Sequence, residues 1–151
     1  MGIKIVGTNK KAYHEYYIED VIETGIVLQG TEVKSLRDAK VNLRDSYCRI
    51  KNGELFVCNM HISPYDFGNR ENHEPLRERK LLAHTHEILK LGKKVDEKGL
   101  ALIPTKIYFK SGKAKLEVGI GKGKKLHDKR ETLKKKQDNR EVERAIRQHN
   151  G

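Results

Sequence analysis

Polar and apolar positions alternate through much of this chain, which is the period of a half-buried strand. The clearest case is SYCRIKNGELFVCNMHI (46–62), where Asn52-Gly53 separates two alternating runs. That dipeptide favours positive φ at both central residues, the signature of a tight I′ hairpin. Phe56, Cys58, Met60 and Ile62 are expected on one face, with Leu55, Val57, Asn59 and His61 on the other. A second hairpin reads from LALIPTKIYFKSGKAKLEVGIGKG (100–123) around Ser111-Gly112. There Ala114, Leu116, Val118 and Ile120 alternate with Lys115, Glu117 and Gly119, and Pro104 predicts an edge or a bulge. HEYYIEDVIETGIVLQ (14–29) is rich in β-branched and aromatic residues and predicts a strand bent near Glu19-Asp20 and ended by Gly30.

Helical spacing is rarer. TEVKSLRDA (31–39) predicts a short helix with Thr31 as its N-cap. Pro64, Gly68, Asn69 and Pro75 mark 63–75 as a loop. Leu81, Leu82, Ile88 and Leu89 then recur at helical intervals, so a helix is expected over about 76–91, entered at Pro75 and stopped at Gly92 with VDEKG as a turn. Residues 1–12 are short, polar and basic. The sum is a mainly β chain with small helices, and a small OB-like antiparallel barrel with flanking helices is the leading architecture. Residues 1–121 form the expected body. Residues 122–151 hold only Leu126, Leu133, Val142, Ala145 and Ile146 as apolar side chains. That is too little to offset ordering entropy, so this basic tail is expected to be disordered in the free protein and to fold on binding.

Charge sharpens the picture. The chain has 151 residues, 32 Lys+Arg against 21 Asp+Glu, and a formal net charge of +11. Charged residues make up 35% of it, against roughly 25% in an ordinary domain. The excess calls for a polyanionic partner, nucleic acid or an anionic membrane. No apolar run approaches the roughly 20 residues that span a bilayer. The first residues lack the apolar core of a signal peptide, and Val6 stands where a myristoylation signal wants serine or threonine. A cytoplasmic location and no membrane partner are expected. Cys48 and Cys58 lie in strand-like runs and read as free buried thiols.

Candidate chemistry is sparse. His84-Thr85-His86, with His61 and His73 upstream, is a poor metal site, because alternate positions on a helix diverge by about 200°, and neither cysteine belongs to a CxxC pair. No metal or other cofactor is expected. No hydrolase, P-loop or dinucleotide motif occurs. A ribonuclease built on His127 and Asp128 would lack a rigid frame. RNA binding fits better. Basic residues fall in groups (Lys10-Lys11, Lys34 with Arg37, Arg77 with Arg79 and Lys80, then the tail), and Tyr13, His14, Tyr16, Tyr17, Tyr47 and Tyr65 offer rings on which unstacked bases could lie. A general OB-type RNA chaperone is the alternative from the same features.

NKKAYHEYYIED (9–20), ETGIVLQGTEVKSLRDAKVNLRDSY (23–47), RKLLAH (79–84) and GKGKKLHDKRE (121–131) occur in one order, and together they resemble the SmpB, or SsrA-binding protein, family. The resemblance implies an OB-like barrel, no catalytic activity, and binding to the tRNA-like domain of transfer-messenger RNA. It also implies delivery of that RNA, with elongation factor Tu and GTP, to stalled ribosomes, where the tail reaches the 16S decoding centre and folds as a helix in the empty mRNA channel. Matched residue by residue, the RNA-binding positions are Asn9, Glu23 and Leu82; Lys10, Lys11, Lys34, Arg37, Arg79 and Lys80 join them on charge. The decoding-centre positions are Gly123, Lys124, Lys125 and His127, with Asp128, Lys129 and Arg130 beside them. Ala83 departs from the family pattern, where leucine is common.

Overall fold

The computed structural model describes residues 2–67 and 72–125. The expectations for the tail beyond Lys125, including His127, Asp128, Lys129 and Arg130, lie outside the described residues. In chain order the elements are β1 (Ile3–Thr8), α1 (Lys10–Glu15), β2 (Tyr16–Ile26), α2 (Gly30–Arg37), β3 (Val41–Asn42), β4 (Tyr47–Lys51), β5 (Glu54–Cys58), β6 (His61–Ile62), β7 (Arg79–Leu82), α3 (Thr85–Lys98), β8 (Ala101–Lys110) and β9 (Lys113–Gly123).

The main sheet runs β1-β8-β4-β5-β7-β2-β9, and β9 pairs back onto β8. Six strands therefore close on themselves as the expected antiparallel barrel, and β1 adds to the outer half of β8. Closure removes the open edges that invite aggregation. Inside lie Leu55, Val57, Leu81, Ile107, Leu116, Val118 and Ile120, each at most 1% exposed. Both tight turns form as expected. Asn52 and Gly53 have φ of 53° and 75°, and Ser111 and Gly112 have 52° and 75°. The bend foreseen in β2 is a register shift between Ile18 and Asp20, and Pro104 borders a second shift in β8. Proline has no N–H for the ladder, and the bulge accommodates it.

Several expectations fail. Ile3–Thr8 is a strand, and 10–15 is a helix, so the predicted strand at His14 begins only at Tyr16. RKLL is not helical: Arg79–Leu82 is strand β7, paired with β5 and β2. The helix starts at Thr85, passes through Gly92 and takes in VDEK, ending on Gly99 at φ 64°. In the first hairpin Leu55 and Val57 face the core, while Phe56 is only half-buried. Asn59 at φ 59° then shifts the phase, which turns Met60 and Ile62 inward as well. Thr31 is not the cap of α2. Gln29 holds that place, with a reciprocal box in which Glu32 Oε1 accepts from the Gln29 N–H at 2.7 Å.

Glu32 and Arg79 are both fully buried and bonded to each other through Arg79 Nε and Glu32 Oε2. Arg79 also donates to the carbonyls of Met60 (2.7 Å) and Pro75 (3.1 Å). Arg77 adds a second guanidinium, 2.6 Å from Glu32 Oε1. Burial alone would raise the Glu32 pKa; hydrogen bonds from Arg77, the Gln29 N–H and Arg79 hold it below the ordinary carboxylate range. Removing one partner of such a buried pair strands the other charge, at about 3–5 kcal/mol. Arg79→Leu is therefore expected to lower unfolding free energy by about that much, and a Glu32→Met, Arg79→Leu double variant to recover part of it. A carboxyl with a lowered pKa stabilises at neutral pH and loses that contribution as pH falls through the lowered value. Denaturant titrations should thus show Glu32→Gln well below wild type at pH 7, with the gap closing in acid.

Candidate nucleic-acid interface

The barrel presents two adjoining surfaces. The first is the corner where α1, the start of β2 and the end of β9 meet. Asn9 caps α1 with its Oδ1, which accepts from the Ala12 N–H at 3.3 Å. Its Nδ2 donates to the carbonyls of Pro104 (2.9 Å) and Leu43 (3.3 Å), and its backbone N–H to that of Thr105 (2.8 Å). Asn9 is 5% exposed. It therefore fixes α1 against the β8 bulge and holds Lys10 and Lys11 outward, so its own side chain is not free for RNA. Lys11 faces Asp45 at 2.7 Å and Glu15 at 3.6 Å. The Asp45 hydrogen bond raises the lysine's pKa and lowers that of Asp45.

At the same corner Gly123 pairs with Tyr16, and the Lys124 N–H donates to the Glu15 carbonyl at 2.8 Å. The folded body thus runs past the expected boundary at 121. The Lys124 ammonium lies 4.9 Å above the Tyr17 ring and 3.1 Å from the Tyr13 carbonyl. Tyr13 and Tyr17 are each about half exposed. Cation and ring in this geometry attract each other. Two groups that the sequence assigned to different surfaces, Lys10-Lys11 and Gly123 to Lys125, are neighbours here.

The second surface is the outer face of β7, β2, β9 and β8. Side chains opposite each other in antiparallel strands share a face, so the ladders place Leu82, Gly25, Lys115 and Tyr108 in one row. Glu23 sits beside that row, opposite Glu117. The Tyr108 hydroxyl donates to Glu23 Oε2, and Lys110 Nζ lies 3.4 Å from Oε1. The Tyr108 hydrogen bond, with the Lys110 charge behind it, lowers the Glu23 pKa. Burial, then the bond to Glu23, raises that of Tyr108. Glu23 is therefore an ionised, aimed acceptor rather than a loose repelling charge. Leu82 is 53% exposed, an apolar side chain held at the surface. Lys80 is exposed and pairs with Glu54 at 3.3 Å.

Tyr108 and Lys110 were missed by the sequence reading. Strand alternation puts them on one face, but nothing in the sequence says that Glu23 lies across β9 from them. Arg79 is a correction: it was grouped with Lys80 as a surface cation, yet it is the buried partner of Glu32. Lys34 and Arg37 are exposed on α2, and Lys34 lies 5.4 Å from the Tyr65 ring.

The histidines also differ from expectation. His84 is the N-cap of α3 with extended backbone, so its ring stacks on that of His86 at 5.5 Å and 14° instead of diverging from it. His73 is buried, with Nε2 2.8 Å from the Ile62 carbonyl and Nδ1 2.8 Å from the Thr31 hydroxyl. It is a structural link between the loop and α2. Among the described residues no cluster of three His, Cys, Asp or Glu could hold a metal ion. Both cysteines are free and buried, and burial pushes the Cys48 thiol pKa up. No helix among the described residues is long and apolar enough to cross a membrane.

Comparison with known proteins identifies the family. The family model "SmpB protein" matches residues 6–148. An SsrA-binding protein of Syntrophotalea carbinolica is 65% identical over 97% of this chain and 98% of its own. One from Geobacter sulfurreducens is 57% identical over 98% and 97%. Among solved structures, a chain from "tmRNA-SmpB: a journey to the center of the bacterial ribosome" superposes with a TM-score of 0.69 at 46% identity, covering 84% of this chain and 93% of that one. With a closed six-stranded barrel, a basic α1 corner and near full-length identity to SsrA-binding proteins, this chain belongs to the SmpB family.

Proposed function

We propose that this protein is a non-enzymatic RNA-binding adaptor of trans-translation, which binds the tRNA-like domain of transfer-messenger RNA and brings it to stalled ribosomes. The observation that carries the reading is 65% identity, over nearly the whole chain, to a protein named for binding SsrA RNA. The geometry supports it. RNA with exposed loops is recognised by rings, apolar contacts and oriented acceptors rather than by groove readout. The outer face offers such a set in Leu82, the tethered Glu23 and the Lys110 and Lys115 cations. The α1 corner adds Lys10, Lys11, Tyr13 and Tyr17. A carboxylate is useful on an RNA face when it accepts from a base amino group, and Tyr108 and Lys110 hold Glu23 in place for that.

In this reading the chain after Gly123 acts on the ribosome. Lys124 and Lys125 leave the barrel beside α1, and His127, Asp128, Lys129 and Arg130 follow them toward the decoding centre of 16S RNA. Delivery as a complex with elongation factor Tu belongs to the same proposal.

Wild type is expected to bind a tRNA-like RNA more tightly than an unrelated duplex at equal salt. Glu23→Ala should weaken that binding about tenfold, the order of one lost good base contact, while the chain still folds, as its circular dichroism would show. Equal affinity for both RNAs would instead favour a general chaperone. A chain truncated after residue 130 should keep its affinity for the tRNA-like RNA and lose rescue of stalled ribosomes in a translation assay. Loss of RNA binding on truncation would refute the division of labour between barrel and tail.

A further inference from the structure

A groove runs between α2, the end of β2, β7 and the β8–β9 hairpin. It has a volume of about 410 Å³ and is lined by Leu28, Val33, Leu82, Phe109, Lys113 and Lys115 around Gly25. We propose that it holds one nucleobase turned out of the RNA stack, with Leu28, Val33 and Phe109 against the base and Lys113 and Lys115 on the flanking phosphates. This rests on the RNA-binding reading above and names what its outer face grips.

The floor is built for a flat guest. A Cβ on Gly25 would come within 3.2 Å of Leu82 Cβ, so the glycine leaves Leu82 undisturbed and the floor without a side chain. Phe109 and Val33 are only half-buried, and Leu82 is exposed. Apolar walls alone would suit a base or an apolar peptide, and the rim decides between them. Lys113, beside the hairpin turn, is exposed, and Lys115 is near enough to Glu23 for its charge to act on that carboxylate. Lys115 stands across the ladder from Gly25, two residues along the strand from Glu23. An unstacked nucleotide needs faces to lie on, cations for its phosphates and an acceptor for its amino group. The groove supplies the first two, and the tethered Glu23 beside it supplies the third. A peptide's apolar side chain would leave Lys113 unmatched.

Two other cavities among the described residues lack this combination. The one between α3 and the β4–β8 edge is of similar size, about 420 Å³, but its cation Arg49 is committed to Glu78 at 2.7 Å. The one beside α1 is smaller, about 300 Å³, and its Lys11 is paired with Asp45.

The test uses the full chain and a set of tRNA-like RNAs, each lacking the base at one position. One abasic position is expected to weaken wild-type binding about tenfold, the order of a lost stacking contact. Val33→Trp, which fills the groove, should bind the intact RNA about tenfold more weakly and be indifferent to that same position. Lys113→Glu, on the exposed hairpin, guards against a folding artefact; it should reduce the dependence of log affinity on log salt by about one ion. The proposal fails if Val33→Trp melts like wild type and binds RNA equally well. It fails also if no single base matters, or if Val33→Trp loses only a protein partner while RNA affinity stands. If wild type itself shows no preference for the tRNA-like RNA, the broader reading falls and this one with it.

Discussion

The ion pair between Glu32 and Arg79 is the constraint on which the rest of the molecule is arranged. Neither charge reaches water, and each would cost several kcal/mol to bury alone. The cost is tolerable only because the pair is bonded on several sides: Glu32 accepts from Gln29, Arg77 and Arg79, while Arg79 also donates to Met60 and Pro75. Those partners come from α2, β7, the segment after β5 and the long loop. One buried bond therefore sets how α2 leans on the barrel. That lean places Val33 opposite Leu82, and so sets the width of the groove between them.

Buried polar residues position and exposed ones act throughout the body. Asn9 spends its whole amide on α1 and the β8 bulge, and its consequence appears at Lys10 and Lys11. Tyr108 lies nearly covered on the outer face, and its consequence is the aim of Glu23. His73 joins the loop to α2 in the same manner. Interiors of this kind make surface geometry a property of the fold rather than of the surface residues, which is how a site gains precision.

The sequence disclosed what depends on near neighbours. Both hairpins, the bend in β2 and the bulge at Pro104 follow from local chemistry and were legible. RKLLAH was misread because Leu81, Leu82, Ile88 and Leu89 satisfy a helical period by chance; β7 exists through pairing with β5 and β2, both distant in sequence. Gly92 looked like a stop, yet it sits inside α3 with Ile50 nearby, and the left-handed residue is Gly99. Arg79 looked like a surface cation because its carboxylate lies far upstream. Glu23 and Leu82 were reachable only through family resemblance. What holds Glu23 is a contact across 85 positions, and no pattern of residue types encodes that.

The barrel closes late in the chain's own life. β2, among the first elements made, has its longest pairing with β9, and β8 must receive both β1 and β9. Loop-closure entropy must be met before such distant strands reward each other, which makes folding of this kind slow. A chain emerging from the ribosome can form the β4–β5 hairpin early, but β2 has no complete partner until residue 123 is available. Nascent molecules therefore carry an open strand edge through most of their synthesis.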